Sequence, residues 1–367
     1  MNTDLQAIGW VAAALVTAMV VALITTPVVR ALAFRVGAVD VPKDSRRMHD
    51  HPIPRMGGLA IFFGFILSAI IYVEITPQFQ GMMLGAVIIV VLGIFDDIYA
   101  LGAKFKLLVQ IAAALVAVHF GNVIQIISNP NVLSPNPYWD LGWLAVPATV
   151  LWIVAITNAV NLIDGLDGLA CGVSTISSMT MLVISLAVAD GPVAVIMAAL
   201  AGGCIGFLPY NLNPAKIFMG DTGSTFLGFV LAVMSIQGLF KFYTIISFAV
   251  PFLMLGLPIF DTCFAFIRRI AHGQSPMHPD RSHVHHRLID MGLNQKQAVA
   301  VLYIISAILG LCAVVLTTSG ELKAMLLLLA LCAAGAVSGR IFLSNNEKRR
   351  SEDKAESPDT ADKGEER

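Results

Sequence analysis

Charged side chains are scarce in this 367-residue chain: Asp, Glu, Lys and Arg make up 13% of it, against roughly 25% in an average soluble domain. That scarcity excludes a disordered chain, an ordinary cytosolic enzyme and a basic domain that binds nucleic acid. With a net charge of −1, the overall balance selects no polyanionic partner. Cysteine is scarce too. Cys171, Cys204, Cys263, Cys312 and Cys332 all lie in or beside apolar runs, and none forms a Cys-x-x-Cys pair. A disulfide framework and a thiolate metal site are therefore excluded. No repeat of about 20–50 residues recurs. What is abundant is apolar: 57% of the chain, with a mean hydropathy of +0.80. The sequence reads as an integral membrane protein, with the lipid bilayer as its first partner.

A spanning helix needs about 20 mostly apolar residues. That template fits eleven segments, at about 8–33, 56–73, 81–95, 105–119, 143–159, 168–188, 193–210, 223–239, 244–268, 297–317 and 322–343. The first is too long for a removed signal peptide and lacks its basic flank and cleavage site. The expectation is an all-α, polytopic membrane protein of about eleven transmembrane helices. Basic residues mark the cytoplasmic side. With the N-terminus outside, only Lys241 and Lys323 fall on the outer face, and the C-terminus is cytoplasmic. Residues 1–344 form the expected multi-span membrane domain, and 345–367, charged and almost without apolar residues, a disordered tail.

Acidic residues sharpen this picture. Asp96, Asp97, Asp164, Asp167, Asp221, Asp261, Asp280 and Asp290 all fall on the inner side, whereas the outer connections hold only Asp4, Glu74, Asp140, Asp190 and Glu321. Bare outer turns and polar inner loops point to one site at the cytoplasmic membrane surface. The loops that would build it lie at about 34–56, 96–106, 158–170, 211–224 and 268–296.

Asp96-Asp97 closes the third span, followed by Lys104 and Lys106. Adjacent carboxylates repel unless a proton or cation lies between them, and paired acids suit Mg²⁺, a hard ion that takes oxygen ligands. The plain alternative is a helix end at the interface. Asn158, Asn161, Asp164 and Asp167 recur at a spacing of three, which makes neighbours on a helix surface. Capping accounts for one of these Asp residues, not for all four groups. Gly165 and Gly168 add a turn before the next helix, where free N–H groups favour anions. Asn211 precedes Phe218-Met219-Gly220-Asp221-Thr222-Gly223-Ser224. There Asp221 or Ser224 is either an ordinary N-cap or, in the case of Asp221, a metal ligand facing the other acids. Phe218 offers an aromatic face to a base.

Asp261 lies about two turns inside the ninth span. An ionisable group at that depth costs roughly 2.5–3.5 kcal/mol on insertion scales, so Asp261 is either functional or paired with an inward-reaching polar group. The loop from Arg268 to Lys296 holds five of the eight histidines, three of them in Pro279-Asp280-Arg281-Ser282-His283-Val284-His285-His286-Arg287. No cysteine or well-spaced carboxylate completes a zinc set, and the interleaved Arg281 and Arg287 suit a diphosphate better. The first inner loop ends in Arg55-Met56-Gly57-Gly58, either an ordinary positive-inside loop or a place where a phosphate approaches closely.

In this order, Arg55 to Gly58, Phe95-Asp96-Asp97, Asn158 to Leu169, Asn211 with Phe218 to Ser224, and His283 to His286 resemble the polyprenyl-phosphate N-acetylhexosamine-1-phosphate transferases. The stretch from Pro279 to His286 is similar to the Pro-Asp-Arg-x-His-Ile-His-His pattern of the WecA/TagO-like branch, with Val284 for Ile. The branch that transfers phospho-MurNAc-pentapeptide typically carries three consecutive histidines instead.

The resemblance implies transfer of GlcNAc-1-phosphate from UDP-GlcNAc to undecaprenyl phosphate, with release of UMP, at the inner face of a bacterial cytoplasmic membrane. It implies Mg²⁺, with Mn²⁺ as a substitute, and a homodimer. Asp221 would be the main metal ligand with Asp97 beside it, and Asp96, Asp97 and Asp221 would be the catalytic groups. Asn158, Asn161, Asp164, Asp167 and Asn211 would shape the nucleotide site, with Phe218 near the uracil. Lys104, Lys106, Arg281, His283, His285 and His286 would hold phosphates and sugar. The same reaction with another UDP-N-acetyl sugar or with UDP-MurNAc-pentapeptide is the nearest alternative. A secondary transporter is the alternative from another class.

Overall fold

The computed structural model describes residues 2–41, 51–129, 136, 138–188, 190–238, 246–271, 283–319, 323 and 327. In a bilayer every backbone N–H and C=O must find its partner within the protein, so long apolar runs become helices. The described helices are α1 (Asn2–Val36), α2 (Gly58–Tyr72), α3 (Pro77–Tyr99), α4 (Ala103–His119), α5 (Ala145–Leu162), α6 (Leu169–Ala187), α7 (Gly191–Asn211), α8 (Gly220–Gly238), α9 (Ile246–Met254), α10 (Gly256–Ala271), α11 (Val284–Asp290) and α12 (Gln295–Ser319). Two short antiparallel hairpins interrupt them: β1 (Val39–Asp40) pairs with β2 (Ile53–Pro54), and β3 (Ile126–Ser128) with β4 (Tyr138–Asp140).

Local chemistry sets several of the ends. Pro77 opens α3 behind Thr76, whose hydroxyl accepts from the Phe79 N–H at 3.2 Å. Asp190 caps α7 in the same way, with Pro192 in the first turn. Gly168, at φ +77°, turns the chain into α6 through a conformation that other residues rarely adopt.

The all-α membrane architecture expected from the sequence is present. Among the described residues six helices are long and apolar enough to cross a membrane: Ile8–Val36, Pro77–Tyr99, Gly142–Leu162, Leu169–Ala187, Gly191–Asn211 and Gln295–Thr318. The apolar helix Gly58–Tyr72 is shorter. The expected ninth span is two helices, α9 and α10, with Leu255 between them. Apart from residues 323 and 327, the segment expected at 322–343 lies outside the described residues, as do the boundary at 344 and the tail. Met1–Thr318 forms one compact unit.

At its centre is α8. From Thr222 to Ile236 every residue of this helix is buried, as a helix with no polar face must be. It packs against α2, α3, α5, α6 and α7, while α1 lies against α2 and α7. Two glycines allow the closest approaches. A Cβ on Gly58 would overlap the Gly223 backbone, and one on Gly93 the Thr222 backbone.

The N-terminal turn of α8 is therefore held where α2 begins and α3 ends. Gly93→Val should force α3 from α8 and lower the melting temperature of the detergent-purified protein by about 2–6 °C, as overpacking of 1–3 kcal/mol does. Gly9→Ala, with open space around it, should leave it unchanged or slightly raised.

Candidate active site

The first N–H groups of any helix lack partners within it, and α8 finds one outside itself. Asp97, 7% exposed, accepts from the Asp221 N–H at 2.9 Å through one oxygen. Its other oxygen accepts from the Thr222 N–H at 3.1 Å and the Thr222 hydroxyl at 2.6 Å. Gly220, at φ +72°, admits this carboxylate, because a Cβ there would strike it. Both Asp97 oxygens are thus engaged by the start of α8.

Asp96 faces the other way. Its Oδ1 accepts from the Leu101 N–H at 2.7 Å, and Ala100, at φ +52°, turns the chain back into α4. That reversal carries Lys106 to the site. Its Nζ lies 2.8 Å from Asp96 Oδ2 and 2.8 Å from Asp221 Oδ2, so two carboxylates from different helices converge on one cation. Asn161 faces Asp221 and donates to Ser224 Oγ at 2.8 Å, which donates to the Gly220 carbonyl at 3.0 Å. Lys104 is exposed in the first turn of α4. Asn158 spends both amide hydrogens on Gln110 Oε1 at 2.7 Å and the Val154 carbonyl at 2.8 Å, tying α5 to α4.

The turn between α5 and α6 adds two more acids. Asp167 Oδ2 accepts from Asn213 Nδ2 at 2.9 Å and the Ala215 N–H at 3.0 Å, which anchors the loop leading to α8. Asn211, 2% exposed, donates to the Ile217 carbonyl at 3.0 Å. Its buried Oδ1 has no partner among the described residues. Phe218 is fixed by its backbone: its N–H donates to the Pro54 carbonyl at 2.8 Å and its carbonyl accepts from Gly57 at 2.9 Å. Arg55, in the same segment, pairs with Asp40 at 3.0 Å. Asp164 is pushed up to about 8, first by burial and then by the charges of Asp221 and Asp97.

The histidine segment meets this turn. His285 presses its ring on Gly165, where a Cβ would overlap it. The His283 and His285 rings are near-parallel at 5.8 Å, and His286 lies 4.2 Å from His285. His283 Nδ1 is 2.9 Å from Asp261 Oδ2, so the inward-reaching partner of Asp261 is a histidine. Burial, and then the neighbouring His286, push His285 down to about 4. Arg281 lies outside the described residues.

Sequence reasoning missed several supports. Asn213 also donates to Gln295 Oε1 at 2.7 Å, and Tyr303 donates to the Gly168 carbonyl at 2.6 Å, so α12 braces the α5–α6 turn. Gln110, a polar residue inside an apolar run, carried a readable signal; Tyr303 and Gln295 carried none.

Among the described residues no three His, Cys, Asp or Glu side chains form a ready-made metal cage. The Asp96–Asp221 pair still fits Mg²⁺, which is usually held by one or two carboxylates with substrate phosphates and water completing the shell. Beside the polar site, α5 and the α9–α10 pair flank an apolar cavity of about 370 Å³, lined by Ile124, Leu151, Trp152, Ala159, Phe252 and Ile259 among others.

Residues 79–239 match the family described as glycosyl transferase family 4. The chain is 46% identical over 311 residues to a probable undecaprenyl-phosphate N-acetylglucosaminyl 1-phosphate transferase of Bacillus subtilis, covering 83% of this chain and 85% of that one. It is 33% identical over 316 residues to the decaprenyl-phosphate N-acetylglucosaminephosphotransferase of Mycobacterium tuberculosis, covering 78% of each. To a phospho-N-acetylmuramoyl-pentapeptide-transferase of Caldicellulosiruptor bescii it is 39% identical over 194 residues, 49% of this chain and 60% of that one.

Two measurements probe the carboxylates. Asp97→Asn turns an amide donor toward the N–H groups of α8 and should destabilise the protein by about 1–3 kcal/mol, with a smaller loss for Asp96→Asn; equal melting temperatures for the two would contradict the anchoring role. For Asp164, a native value near 8 against an unfolded 3.8 means the native state holds the extra proton between those values. Stability from this group therefore falls as pH rises from about 4 to about 8 and is level above. Asp164→Asn removes that slope, so in EDTA its melting-temperature advantage over the parent should widen up to about pH 8 and then hold.

Proposed function

As the chain belongs to glycosyl transferase family 4, among the polyprenyl-phosphate N-acetylglucosamine-1-phosphate transferases, we propose that it transfers GlcNAc-1-phosphate from UDP-GlcNAc to undecaprenyl phosphate on the cytoplasmic face of a bacterial membrane. The observation that carries the reading is the convergence of Asp96 and Asp221 on one cation at the N-terminus of α8. Carboxylates that share a cation suit a diphosphate bound together with a metal. The Pro279-to-His286 pattern supports GlcNAc over the pentapeptide substrate. Acids gathered at helix ends, rather than at the bilayer midplane where transporter sites usually lie, speak against a transporter.

An oxygen of the lipid phosphate attacks the β-phosphorus of the UDP-sugar. A new P–O bond forms as the bond from that phosphorus to the oxygen shared with UMP breaks, and UMP departs with the electron pair. The products are undecaprenyl-diphospho-GlcNAc and UMP. A phosphate monoester has its second pKa near 6, so the nucleophile is already largely ionised at pH 7 and Asp96 orients it more than it deprotonates it. Lys106 neutralises phosphate charge between Asp96 and Asp221. Asp221 and Asp96 would hold Mg²⁺, which when bound supplies a Lewis acid and a template for the diphosphate. Asp97, engaged by α8, positions Asp221. Asn211 and Phe218 line the nucleotide side, and His285 and His286 face the sugar-phosphate from α11. The prenyl chain runs in the apolar cavity along α5.

Purified protein in detergent, given undecaprenyl phosphate and Mg²⁺, should release UMP from UDP-GlcNAc and stop on addition of EDTA. Asp221→Asn should fold normally and lose turnover by about 10²-fold or more. Release only from UDP-MurNAc-pentapeptide or only from UDP-GalNAc would keep the family and overturn the sugar. Near-parental turnover of Asp221→Asn would overturn the assigned role.

A further inference from the structure

Asp261 is an acid that the proposed chemistry does not use, although it is 3% exposed in the interior of α10. Both of its oxygens serve a single short segment. Oδ2 is 2.9 Å from His283 Nδ1, and Oδ1 accepts from the Val284 N–H at 2.8 Å. His283 occupies the N-cap position of α11, yet its own side chain makes no cap. The cap comes instead from a carboxylate 22 residues earlier in the chain. With seven residues, α11 is far too short to hold its shape alone.

A second grip lies one turn further along both helices. Phe264, three residues after Asp261, receives the Arg287 guanidinium over its ring at 4.9 Å, and Arg287 is four residues after His283. From this two-point seat, α11 presses His285 on Gly165 in the turn that bears Asp164. The parallel rings of His283 and His285 show that the Asp261 pair and the Gly165 contact belong to one packed unit.

We propose that Asp261 is a positioning residue: by capping α11 and fixing the His283 ring, it seats the histidine helix against the α5–α6 turn, and so sets the phosphate-binding face of the site. The seating stands on the geometry alone, and its consequence for substrate rests on the reaction proposed above. When His283 donates through Nδ1 to the carboxylate, its Nε2 is left as the group available to a ligand, the way an acid behind a metal-bound histidine orients the ring. Loss of such a supporting partner typically costs 10–100-fold in affinity or activity.

The test is Asp261→Ala, read by amide hydrogen exchange and by UMP release, with His283→Ala and the double variant. Expected results are faster exchange at residues 284–290 with the rest of the bundle unchanged, and a 10–100-fold lower kcat/KM for UDP-GlcNAc carried mainly by KM. The double variant should lose clearly less than the product of the two single losses, because the Asp261–His283 pair is shared between them. Asp261→Asn, which keeps an oxygen for Val284 but turns an N–H toward His283, should retain protection at 284–290 and recover only part of the activity. Unchanged exchange in Asp261→Ala overturns the proposal, as do fully multiplicative losses in the double variant or unchanged kinetics with α11 released. If the parent protein turns over no UDP-sugar, the reaction reading fails, while the exchange measurement still decides whether Asp261 seats α11.

Discussion

Three hydrogen bonds converge on the carboxylate of Asp97, and the arrangement of the other acids depends on them. A buried carboxylate carries a desolvation cost of several kcal/mol. Here it is offset by two backbone N–H groups, one hydroxyl and the positive end of α8. The bonds pin the end of α3 to the start of α8, with Gly93 one turn earlier giving the space for that contact. Successive residues on a helix diverge by about 100°, so once Asp97 points into α8, Asp96 must point elsewhere. It points to Lys106 and, through it, to Asp221. The Asp-Asp pair is therefore divided between an anchor for α8 and a carboxylate that faces Lys106.

Charge is the second constraint. Asp96, Asp97, Asp164, Asp167 and Asp221 gather around the start of α8 and the α5–α6 turn, with Lys106 and Arg55 as the nearby cations named by the geometry. Burial and this crowding push Asp164 up to about 8, so near neutrality the proton itself relieves part of the repulsion. A nucleoside diphosphate would meet more negative than positive charge here. That excess, rather than any ready-made cage, is the physical ground for expecting the substrate to arrive with a divalent cation. Lys106 alone cannot balance two carboxylates and a diphosphate.

The polar residues were legible in the sequence, and their directions were not. Asn158, Asn161, Asp164 and Asp167 read as one stripe, but a spacing of three slips by about 60° per step, and α5 ends at Leu162. Each member consequently serves a different neighbour: Gln110, Ser224, the carboxylate cluster and the loop at Asn213. Depth in an apolar run marked Asp261 as unusual without naming its partner, since His283 reaches it only through the fold. The helical architecture was readable from hydropathy because the bilayer leaves a backbone few choices. The break at Leu255 was not, as the run stays apolar through it. Tyr303 and Gln295 stood on no spacing at all; their contribution exists only because α12 packs where Gly168 and Asn213 lie.

The proposed reaction joins a lipid to a water-soluble sugar nucleotide, and each would need its own approach to the carboxylates. The apolar cavity follows α5 from Ala148 to Ala159, a rise of about 16 Å at 1.5 Å per residue, or roughly half a hydrocarbon core of about 30 Å. Its upper boundary in sequence is two residues short of Asn161, which faces Asp221. A prenyl chain lying there would bring its phosphate to the carboxylates without leaving the apolar phase. On the proposed reading the nucleotide would meet other elements: the loop from Asn211 to Phe218, the α5–α6 turn and α11. Those three are cross-braced through Asp167 to Asn213 and through His285 to Gly165. The two approaches would meet at the first turn of α8, where Asp96, Asp221 and Lys106 converge. A buried, tightly packed helix suits that meeting point, because an in-line displacement tolerates little movement between nucleophile and phosphorus.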